Sequence, residues 1–308
     1  MRIVIIGLGG VGGFFGALLA GRYASDPEHE AIFVCRGTHG EVIREKGLTL
    51  ITIDGETFSV KPDVVTDDPA GIGKADMVIF AVKGYDLQQA ALSVAPVVKE
   101  DTVVISLLNG VNNAALLSEL LPGAKILNGC VYISSRMEEP GVVRHVGGPA
   151  KIFFGPEDGK IDPYGLAEKI LRDAGINAEL TDRIELEVWR KFMFMSPFAG
   201  VTTLKGETFG EVLASGGSFE LLKGMMEELE QLGRFKGVDL PSDIVSLSIE
   251  TGRKFPPETK SSMQLDFEKG KRNELETFIG YVVRECREAG IEAPDYTKTY
   301  EGLSSSGN

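Results

Sequence analysis

The run Gly7-Leu8-Gly9-Gly10-Val11-Gly12 puts glycine at the first, third and sixth positions of one short segment. That spacing suits main-chain N–H groups to a pyrophosphate. The first glycine permits a tight turn, the second lets the backbone approach the phosphates, and the third lets a following helix pack closely. A helix starting there adds unpaired N–H groups and the positive end of its dipole. A second candidate, Arg36, ends the apolar run Ala31–Cys35. At that strand end an acid selects a ribose hydroxyl, whereas an arginine grips a 2′-phosphate through paired hydrogen bonds. No Asp or Glu stands beside Arg36, so the expected cofactor is NADPH rather than NADH. Lys83 follows the run Met77–Val82, and Asn109, in Leu107-Leu108-Asn109-Gly110, follows Val103–Ser106. Taken singly, Lys83 also reads as a solvated lysine and Asn109 as a turn residue.

The elements that must carry these residues follow from the pattern of apolar runs. Ile3–Ile6, Ala31–Cys35, Met77–Val82 and Val103–Ser106 are short and nearly all apolar, as expected of strands covered on both faces. Helix-like segments such as Phe14–Ala20 alternate with them, which predicts βαβ units and a largely parallel sheet. In such a sheet ligands lie outside the carboxyl ends of the strands, so Gly7, Arg36, Lys83 and Asn109 are expected to share one crevice. Leu48–Ile53 and Phe58–Val60 flank Asp54-Gly55 and read as an antiparallel hairpin. From about Arg183 apolar residues instead recur at three and four: Leu221, Met225, Leu229 and Leu232, then Leu275, Phe278, Ile279, Val282, Val283 and Cys286. The expected fold is therefore an α/β, Rossmann-type dinucleotide-binding domain over residues 1–180, followed by an all-helical domain over residues 181–308. The tail Ser304-Ser305-Ser306-Gly307-Asn308 is too small and polar to pack and is expected to fray.

Composition narrows the classes of partner. The chain has 308 residues, 43% hydrophobic and 25% charged, with a formal net charge of −13. Such acidity argues against a nucleic-acid partner, because phosphate-backbone binding rests on clustered Lys and Arg. The strand-like Ile3–Ile6 follows Met1-Arg2 directly, and no later stretch approaches a membrane span, so the expectation is a cytoplasmic protein with no membrane partner. Cys35, Cys130 and Cys286 are odd in number and far apart, which fits reduced, mostly buried thiols better than disulfides or zinc. His29, His39 and His145 lack ligand spacing; surface or loop positions are expected, and no metal.

The helical half carries Glu185-Leu186-Glu187-Val188-Trp189-Arg190-Lys191-Phe192, then Ser261-Ser262-Met263-Gln264-Leu265-Asp266, then Arg272-Asn273-Glu274-Leu275-Glu276. With the glycine run, Arg36, Val82-Lys83 and Leu108-Asn109-Gly110, this ordered set resembles the ketopantoate reductase (2-dehydropantoate 2-reductase) family over nearly the whole chain. The resemblance implies NADPH delivering hydride to the ketone of a branched 2-oxo acid, on the route to pantothenate and coenzyme A. Position by position, it implies that Lys191 is the catalytic lysine and Glu274 a second active-site residue that also contacts the cofactor. It makes Ser262 a substrate serine and Asn109 an amide touching both ligands. Arg36, Lys83 and Ser135 become cofactor contacts, with Ser135 on a loop near the nicotinamide.

The chemistry is coherent on its own terms. Hydride arriving at a carbonyl carbon builds charge on oxygen, and an ammonium can both stabilise that charge and donate the proton. Local pattern alone would make Lys191 a surface-helix lysine, and Trp189 and Phe192 helix packing. Glu274 also suits a helix's first turn, with Asn273 and Glu276 spaced as a capping box, and Ser262 suits a helix cap. One departure bears on the substrate: where the family carries two substrate-holding asparagines, this chain has Met195 and Ala199. Ser196, Thr202 and Thr203 are candidate replacement hydroxyls. The expected substrate is a small or more apolar 2-oxo acid, ketopantoate leading. A catalytically silent redox sensor and a 3-hydroxy-acid dehydrogenase are the alternatives, and the apolar helices could support a homodimer.

Overall fold

The computed structural model describes residues 1–306, and the chain divides into two compact units, Met1–Ile184 and Glu185–Asn308. The first unit runs β1 (Arg2–Ile6), α1 (Gly10–Tyr23), β2 (Glu30–Val34), α2 (Gly37–Lys46), β3 (Leu48–Ile51), β4 (Thr57–Val60), β5 (Val64–Thr66) and β6 (Met77–Phe80). It continues with α3 (Leu87–Val94), β7 (Val103–Ser106), α4 (Asn113–Leu120), β8 (Lys125–Glu139), β9 (Val142–Gly155), α5 (Gly165–Asp173) and β10 (Asn177–Leu180).

Six of these strands, in the order β5-β2-β1-β6-β7-β8, pair in parallel. Chain direction along the sheet reverses at β1, whose neighbours β2 and β6 lead opposite ways; such a switch point opens a crevice at the carboxyl ends of the strands. Alternate residues serve two cores. Ile3, Ile5, Phe33, Ile79 and Ile105 pack with Phe15 and Leu19 of α1, while Val4, Ile6, Val34, Val78, Phe80 and Val104 pack with Leu87, Ala91 and Val94 of α3 and Leu117 of α4. Both faces being covered explains why the strands read as unbroken apolar runs. Helix α1 is apolar nearly all round for the same reason: it is buried against the sheet.

The sheet is more mixed than the sequence pattern suggests. β8 and β9 form a long antiparallel hairpin closed at Pro140-Gly141, with three register irregularities along it. β9 then pairs in parallel with β3 at one end and with β10 at the other. The predicted hairpin around Asp54-Gly55 is present, with Leu50 opposite Phe58, and Gly55 has φ +84° as its turn demands.

Every element of the second unit among the described residues is helical: α6 (Ile184–Lys205), α7 (Phe209–Ala214), α8 (Gly216–Phe235), α9 (Ile244–Arg253), α10 (Ser262–Glu268), a π turn (Glu276–Gly280) that runs into α11 (Tyr281–Ala289), and α12 (Pro294–Ser306). The periodic residues Met225, Leu229, Leu232, Phe278, Ile279, Val282 and Cys286 are all buried. Ser304 to Ser306, expected to fray, instead complete α12, because Leu303 is buried and anchors its last turn; Gly307 and Asn308 lie outside the described residues. No described helix is long and apolar enough to cross a membrane.

Candidate active site

The glycine turn leaves β1 at a fixed point, since the Gly7 N–H donates to the Val34 carbonyl at 3.0 Å. Gly7 has φ +87°, and a Cβ there would sit 2.7 Å from Val82 Cγ1. A Cβ on Gly12 would stand 1.8 Å from the Gly7 carbonyl oxygen, so turn and helix touch through backbone alone. Around Gly9 there is open space: a Cβ would meet nothing within 4 Å. Helix α1 starts beside that space with no side-chain cap and no acidic residue in its first turn. Its leading N–H groups therefore remain available to an anion, which is what a pyrophosphate needs.

Arg36 occupies the N-cap position of α2, is exposed, and makes no side-chain hydrogen bond or ion pair among the described residues. α2 likewise has neither a side-chain cap nor an acid in its first turn. A guanidinium and a helix N-terminus together suit a phosphate monoester. The other strand ends line up with these. Ile6 registers with Val34 and Phe80, and Phe80 with Ser106, so Gly7, Cys35-Arg36, Ala81–Lys83 and Leu107–Asn109 all leave the sheet from one edge. Lys83 and Asn109 are half-buried there. Gly110 follows at φ +102°, and the buried Asn113 amide donates to the carbonyls of Asn109 (3.0 Å) and Gly110 (3.3 Å), fixing that bend.

Ser135 requires a correction: it lies within β8, opposite His145, and not on a loop. A Cβ on Gly10 would come within 2.2 Å of the Ser135 carbonyl oxygen, so this strand presses directly on the start of α1. The Ser135 hydroxyl is buried without a hydrogen-bond partner among the described residues. The polar run Ser134–Glu139 disguised the strand, and the Pro140-Gly141 turn before Val142-Val143 was the signal that could have revealed it.

His29 lies in the loop before β2, as expected, but the other two histidines depart from the surface or loop expectation. His145 is buried in β9, its Nε2 2.9 Å from the Gly147 carbonyl and its ring edge-on to Phe14. His39, half-buried on α2, contacts the Leu8 carbonyl and the Gly141 N–H. Its isolation in sequence concealed this. The three cysteines are buried free thiols, and burial pushes Cys35 and Cys286 up to about 11.

In the helical unit, Lys191 is half-buried on α6, and Glu274 is 3% exposed just before the π turn. Their two segments are packed together: Phe192 stacks on Phe278 at 6.2 Å, and the Ser196 hydroxyl donates to the Phe278 carbonyl at 2.7 Å. Trp189 and Phe192 are buried core, 6.2 Å apart edge to face. A capping box at Asn273 does not form. The Asn273 side chain accepts from the Leu275 N–H, while the Glu276 carboxylate is taken by Arg284 and Tyr300. Ser262 does not cap α10 either; Ser261 does, accepting from Gln264 at 3.1 Å, and leaves the Ser262 residue exposed at the first helical position.

α6 continues through Pro197, so Lys191, Met195 and Ala199 share one face at i, i+4 and i+8. The candidate replacement hydroxyls are spent internally. Ser196 serves Phe278 and Tyr296, Thr202 contacts Ser261 at 3.1 Å, and Thr203 donates to Ala199 at 2.7 Å. All three are buried.

Residues 3–159 match the family described as ketopantoate reductase PanE/ApbA, and residues 183–304 match its C-terminal domain. A 2-dehydropantoate 2-reductase of Archaeoglobus fulgidus is 30% identical over 296 residues, covering 94% of this chain and 92% of that one. The crystal structure of a PanE/ApbA family ketopantoate reductase from Ralstonia eutropha JMP134 superposes with a TM-score of 0.90 at 30% identity, covering 100% of this chain and 98% of that one. A D-mandelate dehydrogenase solved with NADH and anilino(oxo)acetate shares the fold, with a TM-score of 0.87 at 21% identity, covering 100% and 98% of the two chains. With both of the family's domains matched in order along its length, this chain belongs to the ketopantoate reductase family of dinucleotide-dependent oxidoreductases.

Proposed function

We propose that the protein is a cytoplasmic NADPH-dependent 2-oxo-acid reductase, converting 2-dehydropantoate to (R)-pantoate for pantothenate and coenzyme A synthesis. Residues 1–180 form its cofactor domain and residues 181–308 its catalytic domain. The observation that carries the cofactor choice is Arg36, exposed and unengaged at the uncapped start of α2, on the sheet edge where the glycine turn also emerges.

On this reading Gly7, Leu8, Gly9, Gly10, Val11 and Gly12 hold the pyrophosphate, and Arg36 holds the 2′-phosphate. Lys83, Asn109, Ser135 and Glu274 complete the cofactor's surroundings. The bound dinucleotide supplies a hydride to the carbonyl carbon of the substrate. The Lys191 ammonium stabilises the charge growing on the carbonyl oxygen and gives it a proton, so a C–H and an O–H bond form while the C=O double bond is reduced. Glu274 orients that ammonium or the product hydroxyl. Asn109 and Ser262 hold the substrate, with Ser262 donating to its carboxylate.

The apolar pair Met195 and Ala199 on the Lys191 face favours a second reading of the substrate alone, a 2-oxo acid with a more apolar substituent. NADPH oxidation followed by absorbance against a panel of 2-oxo acids, ketopantoate and aryl-substituted acids included, tests both. Turnover of ketopantoate above the others supports the first reading, and preference for a bulkier apolar acid supports the second. Activity on none would remove the reductase assignment.

A further inference from the structure

His39 stands three residues beyond Arg36 on α2, yet its ring spans two distant segments of the first unit. Its Nδ1 accepts the Gly141 N–H at 2.9 Å, and its Nε2 lies 2.8 Å from the Leu8 carbonyl oxygen. A nitrogen that accepts from an amide carries no hydrogen, so the proton resides on Nε2 and is donated to Leu8. Both ring nitrogens are thereby committed, each to a backbone group, and the tautomer is fixed.

The Leu8 carbonyl is half of the peptide unit whose other half is the Gly9 N–H. That unit is planar and trans, so the two groups point in opposite directions. Holding the carbonyl toward α2 therefore aims the Gly9 N–H away from it. Gly9 is exposed, borders open space, and its N–H makes no hydrogen bond among the described residues. Without the imidazole, this peptide could rotate in a turn built from glycines, and the aim of that N–H would be lost.

We propose that His39 is a positioning residue for the dinucleotide: by anchoring the Leu8 carbonyl it presets the Gly9 N–H toward the pyrophosphate and ties the turn to the helix that bears Arg36. This rests on the reading of Gly7–Gly12 and Arg36 as the cofactor cradle. The other ring contact, to Gly141 at the β8–β9 turn, braces the imidazole from behind. β8 also presses on Gly10 through Ser135, so the hairpin meets the turn at Gly10 and His39 meets it at Leu8.

The two ring contacts can be separated. An Asn side chain places its oxygen near Nδ1 and keeps the Gly141 contact only; a Gln side chain places its amide near Nε2 and keeps the Leu8 contact only. His39→Asn is expected to weaken both NADPH and NADH binding by about three- to tenfold, the worth of one hydrogen bond, with His39→Gln staying within about twofold of the parent. Both affinities are read by quenching or enhancement of dinucleotide fluorescence, alongside thermal unfolding of each variant. In the dinucleotide-free protein, amide exchange over residues 8–12 should quicken in His39→Asn and not in His39→Gln. Equal affinities and equal exchange in all three proteins would overturn the proposal, as would losses that track unfolding temperature in both variants alike. If the parent protein binds neither dinucleotide, the cofactor reading fails, and the exchange measurement still decides whether His39 holds the turn.

Discussion

The Ser196 hydroxyl donates to the main-chain oxygen of Phe278 at 2.7 Å, joining the helix of Lys191 to the π turn that follows Glu274. Tyr296 completes the link from the other side, its phenol 2.7 Å from Ser196. The Phe278 carbonyl can only accept, so it takes the single serine proton, and the Tyr296 phenol, which complete burial holds protonated, donates to Ser196. Ser196→Ala strands both partners in the core and should cost about 1–3 kcal/mol of stability. Chemical denaturation checks this, with Tyr296→Phe and the double variant expected to be less than additive. Unchanged stability in Ser196→Ala would mean that the segments register by apolar packing alone.

Removal of the Lys191 ammonium tests the proton donor. Lys191→Ala should lower kcat by roughly 10²–10⁴-fold while leaving dinucleotide affinity near that of the parent. Steady-state rates with the preferred 2-oxo acid, beside direct NADPH titration, separate the two effects. A variant with full kcat would show that the proton comes from elsewhere.

Arg36→Ala should raise the dissociation constant for NADPH by about ten- to a hundredfold, the worth of a charge-assisted contact of about 1.5–3 kcal/mol. NADH, which lacks the 2′-phosphate, should be nearly indifferent. Paired titrations of the two dinucleotides read this directly, and parallel losses for both would place Arg36 elsewhere in the cofactor's surroundings.

Burial pulls the His39 imidazole below its ordinary value of 6.5, with the Leu8 carbonyl opposing the shift. Folded protein therefore takes up this proton at lower pH than the unfolded chain does. The stability tied to neutral His39 is fully present above pH 6.5 and drains as pH falls from there through the folded value. Thermal unfolding between about pH 8 and 5 should show a steeper acid loss in the parent than in His39→Gln, which cannot take up that proton.

Much of the fold was written in local patterns. Unbroken apolar runs such as Met77–Phe80 announced strands covered on both faces, and spacings such as Met225, Leu229 and Leu232 announced helices, because each depends only on which side of an element meets the core. The strand-end positions of the glycine turn and of Arg36 were legible for the same reason. Ser135 was misplaced because its strand is polar along one stretch and is held by pairing with β9, which local composition does not encode.

The sequence by itself determined which residues could do chemistry and which elements would carry them, since strand ends and helix faces are properties of short segments. Tertiary structure alone decided how those residues are held. His39 meets partners 31 and 102 positions away, and Ser196 meets Tyr296 across 100. Hydrogen bonds of that reach exist only once the chain has closed on itself, so a lone histidine or serine carries no mark of them.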